Sequence, residues 1–188
     1  MSLKGNRANG RIAIFGTLNV MVASAVLVAM SVVCGKYLAI GVGEVLRFSL
    51  ENLPIILAGI LFGPAVGAVV GCVADLVGCV LVGYAVNPLV TLGAVALGLL
   101  SGGCYKLLLR IERLGHGVRV GICVAVAHIF GSVLIKTVGL AAFYDMPFAL
   151  LIVWRTLNYA IIGALEFTLA YFITKNRSLM SVLERSKK

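Results

Sequence analysis

Apolar and polar positions fall into long alternating blocks. Apolar runs cover about residues 12–34, 54–62, 64–82, 88–109, 118–140 and 148–174, parted by short polar or Gly/Pro-marked connections. A helix needs roughly 20 apolar residues to cross a bilayer. The pattern therefore predicts an all-α integral membrane protein with six transmembrane helices in a single domain, residues 1–188. The run 54–62 is short: Pro54 sits at its first turn and Gly63-Pro64 reverses the chain after it. Ahead of it, residues 36–52 (KYLAIGVGEVLRFSLEN) alternate, with Val45, Arg47, Ser49 and Glu51 set against Leu46, Phe48 and Leu50. That is the period of an extended segment with one apolar face. It predicts a structured first external loop, suited to cover a cavity, rather than a solvated connector.

Composition agrees with a membrane protein. Of 188 residues, 61% are hydrophobic and 12% charged, with a mean hydropathy of +1.10, whereas a soluble domain carries far more polar surface. The net charge of +9 changes meaning once its distribution is seen. Lys4, Arg7 and Arg11 precede the first run. Lys106, Arg110, Arg113, His116 and Arg119 surround the connection after the fourth, and Lys175, Arg177, Arg185, Lys187 and Lys188 form the tail. With six spans all three clusters lie on one side, which is the positive-inside arrangement with both termini cytoplasmic. No basic groove interleaved with aromatics exists to suggest nucleic acid. The first run is too long for the apolar core of a signal peptide and is expected to remain as the first helix. The five cysteines (Cys34, Cys72, Cys79, Cys104, Cys123) have no CxxC spacing and read as small apolar packing residues.

The polar residues inside the runs carry the functional argument. Asp75 lies within a helix thinned by Gly67, Gly71 and Gly78, and such small residues allow close helix packing. A carboxylate at membrane depth costs several kcal/mol unless it faces a cavity or a partner. His128, Lys136, Arg155 and Glu166 are the other ionisable residues within runs. On the six-helix topology Asp75, Lys136 and Arg155 fall in the outer half, with Lys36 and Arg47 at its mouth. Convergence of these helices makes a pocket for an anionic ligand that also offers a neutral donor pair to a carboxylate. The alternative is that Asp75 simply pairs with Lys136 or Arg155 to hold helices together. Asn87 and Pro88 open the fourth helix, whose unpaired amides point toward the same region, and Thr91 lies one turn inside. His128 reads as a hydrogen-bonded helix contact, and Glu166 has no readable partner. Ala25 and Ala29 form a small-xxx-small face on the first helix, open to packing either within the chain or against a partner. No nucleophile elbow, zinc-protease or phosphate-loop motif occurs, so no catalytic residues, metal or cofactor are expected and the chain is not expected to hydrolyse ATP itself.

The stretches LPIILAGILFGPAVGAVVG (53–71) and NPLVTLGA (87–94), the intramembrane Asp75 and the lid-like loop carry a family resemblance. Together they resemble the substrate-binding (S) components of energy-coupling factor (ECF) vitamin transporters. The series RF…LP…AGxLFGPxxG…D…G…P…TL is most similar to the folate-specific branch, and departs from it at Asn87-Pro88, where a Pro-Gly-Phe-Thr stretch is expected. The resemblance implies a high-affinity vitamin-binding subunit of an ABC importer in a prokaryotic plasma membrane. Its partners would be a transmembrane coupling protein and two cytoplasmic ATPases, with Ala25 and Ala29 matching the AxxxA docking motif.

Folate chemistry fits the same residues. Asp75 would read the pterin's adjacent donors, and Phe48, Tyr84, Phe143, Tyr144 and Trp154 are candidate walls for the aminobenzoyl ring. Arg47, Lys36, Lys136 and Arg155 are available for the glutamate carboxylates, and Asn87, Pro88, Thr91 and Asn158 complete the expected binding set. The competing readings are an S component for pantothenate or a thiamine or pyrimidine precursor, and a small membrane scaffold or enzyme.

Overall fold

A computed structural model describes residues 18–42, 46–144 and 147–176. Helix α1 (Leu18–Val32) passes directly into a π-helical turn, Val33–Tyr37. A short hairpin follows, β1 (Ile40–Val42) and β2 (Leu46–Phe48), antiparallel with Gly41 opposite Arg47. Helices α2 (Asn52–Phe62), α3 (Pro64–Val82) and α4 (Pro88–Leu108) come next. A continuous rod then comprises α5 (His116–Ala127), a π-helical stretch (His128–Ile135) and α6 (Lys136–Tyr144). Helix α7 (Phe148–Lys175) is the last described element.

Within residues 36–52, Ile40–Val42 and Leu46–Phe48 form the hairpin of an otherwise helical fold, whereas Lys36 and Tyr37 belong to the π-helical turn and Asn52 to α2. Among the described residues, five helical rods have the length and hydropathy to cross a membrane: Leu18–Tyr37, Pro64–Val82, Pro88–Leu108, His116–Phe143 and Phe148–Lys175. The sixth helical segment, α2, has 11 residues, about 16 Å at 1.5 Å per residue. It is the buried centre of the bundle instead, with Asn52 through Leu61 all shielded.

Lipid is as apolar as leucine, so burial of apolar side chains does not by itself hold helices together in a bilayer; close packing does. Glycines provide it here. A Cβ at Gly98 of α4 would overlap the Gly67 carbonyl of α3, and one at Gly59 of α2 would strike the Gly98 carbonyl. The three helices therefore meet backbone to backbone. Ile56, Val70 and Leu97, at most 1% exposed, fill the remaining space.

Two connections depend on glycine conformation. Gly63 (φ 102°) turns α2 into α3. Gly83 (φ 73°) ends α3, its N–H donating to Val80 O while Tyr84 N donates to Cys79 O. This left-handed stop turns Tyr84 toward the hairpin end of the bundle.

Candidate functional site

The cavity at the hairpin end takes its lining from the π-helical turn after α1, the segment after β2, and helices α3, α4, α6 and α7. It measures about 290 Å³ and is lined by residues that include Lys36, Glu51, Asp75, Tyr84, Arg155 and Tyr159. Of the fourteen expected binding residues, Lys36, Asp75, Tyr84, Asn87, Lys136, Arg155 and Asn158 line it.

Asp75 projects from α3, and its Oδ2 accepts the Thr91 hydroxyl of α4 at 2.7 Å. Thr91 is therefore the support of the carboxylate rather than part of the cavity wall. Asn87 is mainly an architectural residue: its Oδ1 accepts from Leu89 N and Val90 N, capping α4, and its Nδ2 donates to Gly139 O of α6 at 2.8 Å. Pro88, in the first turn of α4, lies on the exposed side.

Two lysines enter from opposite sides. The stem of Lys36 crosses α3 at Gly78, where a Cβ would lie 2.7 Å from its Cε. Its ammonium sits 5.7 Å from the Tyr84 ring centroid, a distance at which a cation is attracted by the ring face. Lys136 is buried, and its Nζ donates to Asn52 Oδ1 at 3.2 Å and to Glu51 Oε1 at 3.5 Å. The alternative of a pair between Asp75 and Lys136 or Arg155 is thus not what forms among the described residues: the Lys136 charge is spent on Glu51. Glu51 is tied down further because its carbonyl accepts the Ser31 hydroxyl of α1 at 2.6 Å. The end of the hairpin segment is thereby anchored to both α1 and α6.

Arg155 enters from α7. Its Nη2 donates to Ser132 O at 3.0 Å and reaches the Tyr159 hydroxyl at 3.4 Å, and its guanidinium carbon is 5.2 Å from the Tyr159 ring centroid. Its Nε is shielded from solvent and has no acceptor among the described residues. A buried cationic donor in that state favours an incoming acceptor.

Three expected aromatics, Phe48, Phe143 and Trp154, lie outside the cavity lining. Phe48 is half-buried at the end of β2 and outside the cavity lining. Trp154 is 41% exposed on the outer face of α7, because adjacent helical positions point about 100° apart and Arg155 takes the inward one. The backbone of Arg47 is paired in β2, but its side chain lies outside the described residues, as does that of Tyr144.

The sequence reading did not assign Ser49, Glu51 or Tyr159 to the site. Tyr159 had a readable signal, since it follows Arg155 by four residues and shares its helix face. Glu51 belonged to the polar side of the alternating segment, but its pairing with Lys136, 85 residues away, had no local signature.

The sequence matches the family described as ECF transporter, substrate-specific component, over residues 19–174. The chain belongs to this family. It is therefore a multi-pass membrane protein and the substrate-binding subunit of a vitamin transporter, a family of transport components rather than enzymes, and its kind works with the other modules of an ECF transporter. Solved structures share the fold. One is FolT bound with folic acid, with a TM-score of 0.66 and 24% identity over 82% of this chain and 92% of that one. Another is the S component of a bacterial ECF transporter, with a TM-score of 0.63 and 18% identity over 88% of this chain and 97% of that one. A search of curated proteins found no match.

Proposed function

We propose that this S component binds folate in the cavity at the hairpin end. The observation that carries the reading is one cavity holding a supported carboxylate, Asp75, together with two cations, Arg155 and Lys36, that no acid neutralises within ion-pair distance among the described residues. Folate has matching ends. Its pterin presents a ring N–H beside an exocyclic amine, which a carboxylate accepts as a pair. Its glutamate presents two carboxylates, for which a guanidinium is a bidentate partner. Because Lys136 is held by Glu51, the tail contacts fall to Arg155 and Lys36, with Arg47 at the hairpin as a third cation. Likeness to the folic-acid complex of FolT supports this choice among vitamins.

The test is mass spectrometry of the vitamin that co-purifies with the protein, followed by titration of the stripped protein with folate, pantothenate and thiamine. Folate is expected to bind at nanomolar concentration and the other two not to compete. Recovery of a different vitamin refutes the assignment.

The same reading takes the membrane to be a prokaryotic plasma membrane from the family likeness, and the collection of Lys106, Arg110, Arg113, Arg119 and Lys175 at the end opposite the hairpin supports cytoplasmic termini. It assigns docking of the coupling protein, which joins the two ATPases, to Ala25 and Ala29. Both are exposed on α1, alongside exposed Met21, Val22, Val26 and Met30, so this stripe is not used for packing within the described chain. Ala25→Leu or Ala29→Leu is expected to abolish vitamin uptake by cells while the isolated protein binds as before. Loss of both would mean that the stripe supports the fold.

A further inference from the structure

His128 and Glu166 are buried at 4% and 0% exposure, and neither lines the cavity at the hairpin end. Their side chains meet at 2.6 Å, Nε2 to Oε2. With its proton on Nε2 the ring donates to the carboxylate, leaving Nδ1 to accept from the Ser132 hydroxyl, 3.3 Å away. Glu166 Oε1 has no hydrogen-bond partner among the described residues. Taking polar groups such as these out of water is costly before any interaction offsets it, and no cluster of metal-binding side chains accounts for the pair among the described residues.

What the pair touches leads to Arg155. Ser132, which bonds His128 through its hydroxyl, offers its carbonyl to Arg155 Nη2. The His128 ring also stacks on Tyr159, with centroids 5.2 Å apart and planes 29° apart. Tyr159 in turn carries Arg155 on its face and at its hydroxyl. Arg155, Tyr159 and Glu166 follow one another along α7 at spacings of four and seven, so all three lie on one helix face. Gly163 faces the ring, and a Cβ there would stand at ordinary contact distance, 3.5 Å, from His128 Cδ2. Both groups that orient the guanidinium therefore rest on His128, and Glu166 fixes His128.

We infer that His128 and Glu166 are positioning residues which, through Ser132 and Tyr159, hold the Arg155 guanidinium ready for an anionic ligand group. An arginine side chain has many rotamers, and fixing it before the ligand arrives removes an ordering cost from binding. The inference rests on the proposed function only in taking folate's glutamate as that anion.

The experiment uses the full chain in lipid nanodiscs. Removing one partner alone would strand a buried polar group, so the main variant replaces both with apolar residues of similar size, His128→Leu with Glu166→Met, an exchange that buried hydrogen-bonded pairs tolerate when shape is kept. Glu166→Gln is the conservative variant, since its amide oxygen still accepts from His128. The first readout needs no ligand: the Arg155 Nε–Hε resonance, assigned by its loss in Arg155→Lys. It is expected sharp and shifted in the parent and in Glu166→Gln, and broadened by solvent exchange in the double variant.

The second readout compares folate with pteroate, which lacks the glutamate. The double variant is expected to lose about tenfold in folate affinity, the scale of a lost hydrogen-bonding partner, and less than twofold for pteroate. In an Arg155→Ala background the double change is expected to cost nothing more. An unaltered Arg155 resonance overturns the inference, and so do equal losses for the two ligands. If the parent protein does not bind folate, the vitamin assignment falls and the resonance decides: its persistence in the double variant refutes the positioning role, and its loss upholds it.

Discussion

The two sides of the helix bundle are assembled differently. On the side of α2, α3 and α4, glycines bring main chains into contact: a Cβ at Gly102 would meet the Gly59 carbonyl, and one at Gly71 would strike the Ala94 carbonyl. On the side of α5 and α7, glycines face ring edges. A Cβ at Gly117 would stand 3.2 Å from Tyr171, one at Gly121 3.3 Å from Phe167 and one at Gly163 3.5 Å from His128. Backbone contact leaves no rotamer to adjust, whereas rings and a long guanidinium can shift. The first side holds Asp75 and Thr91, and the second holds Arg155. A site so divided has one fixed wall suited to reading a rigid ring by hydrogen-bond pattern, and one adaptable wall suited to a flexible charged tail.

The largest effect is expected at the fixed wall. Asp75→Asn keeps the shape but offers a donor where two acceptor positions are required, and the wall cannot move to compensate. Folate affinity is expected to fall by about 2–4 kcal/mol while the protein still folds. Titration of the purified variant, with its melting temperature as control, decides this. Unchanged affinity would take Asp75 out of the site.

Stability should show the same contrast. Gly98→Ala pushes a methyl group into the Gly67 carbonyl, and overpacking against main chain is expected to cost about 2–3 kcal/mol. Gly163→Ala adds the same methyl at ordinary contact distance from His128, and is expected to change stability by no more than about 0.5 kcal/mol. Denaturation of the two variants in one detergent gives the comparison. Equal losses would mean that the α5–α7 side is as rigid as the other.

At the adaptable wall, Arg155→Ala is expected to cost about 1.5–3 kcal/mol for folate, the scale of a charged hydrogen bond, and little for pteroate. Arg155→Lys should recover part of the loss, because a movable ammonium still pairs with carboxylates as a point charge. Equal losses for folate and pteroate in Arg155→Ala would place Arg155 at the ring end or in the structural support.

Local signals foretold much of the fold and less of the site. Helix starts at Pro64 and Pro88, the turn at Gly63-Pro64 and the alternation through Phe48 are properties of neighbouring residues, and they correspond to elements of the structure. Asp75 and Arg155 stood out because a charge inside an apolar run is conspicuous by itself. Pairings were not legible. Lys136 with Glu51 and His128 with Glu166 join residues 85 and 38 positions apart, and only the packing of helices brings them together. Facing was harder still: Trp154 and Arg155 are adjacent in sequence, and the helix phase that separates them is set by contacts with α5 and α6 that no local pattern encodes.

Trp154 gives the smallest effect and the sharpest check on that phase. The sequence suggested it as an aromatic wall for the ligand, whereas the structure leaves it exposed on the side of α7 away from the cavity. An indole on that face contacts lipid chains and makes no contribution to a ligand held behind the helix. Trp154→Leu is therefore expected to change folate affinity by no more than about 0.5 kcal/mol, the range of ordinary surface substitutions. Because Trp154 is the only tryptophan in the chain, its fluorescence reports its surroundings directly. Lipids brominated on their acyl chains should quench it in nanodiscs, equally with and without folate. A tenfold loss of affinity in Trp154→Leu, or protection from bromine when folate binds, would turn this face of α7 toward the ligand and displace Arg155 from it.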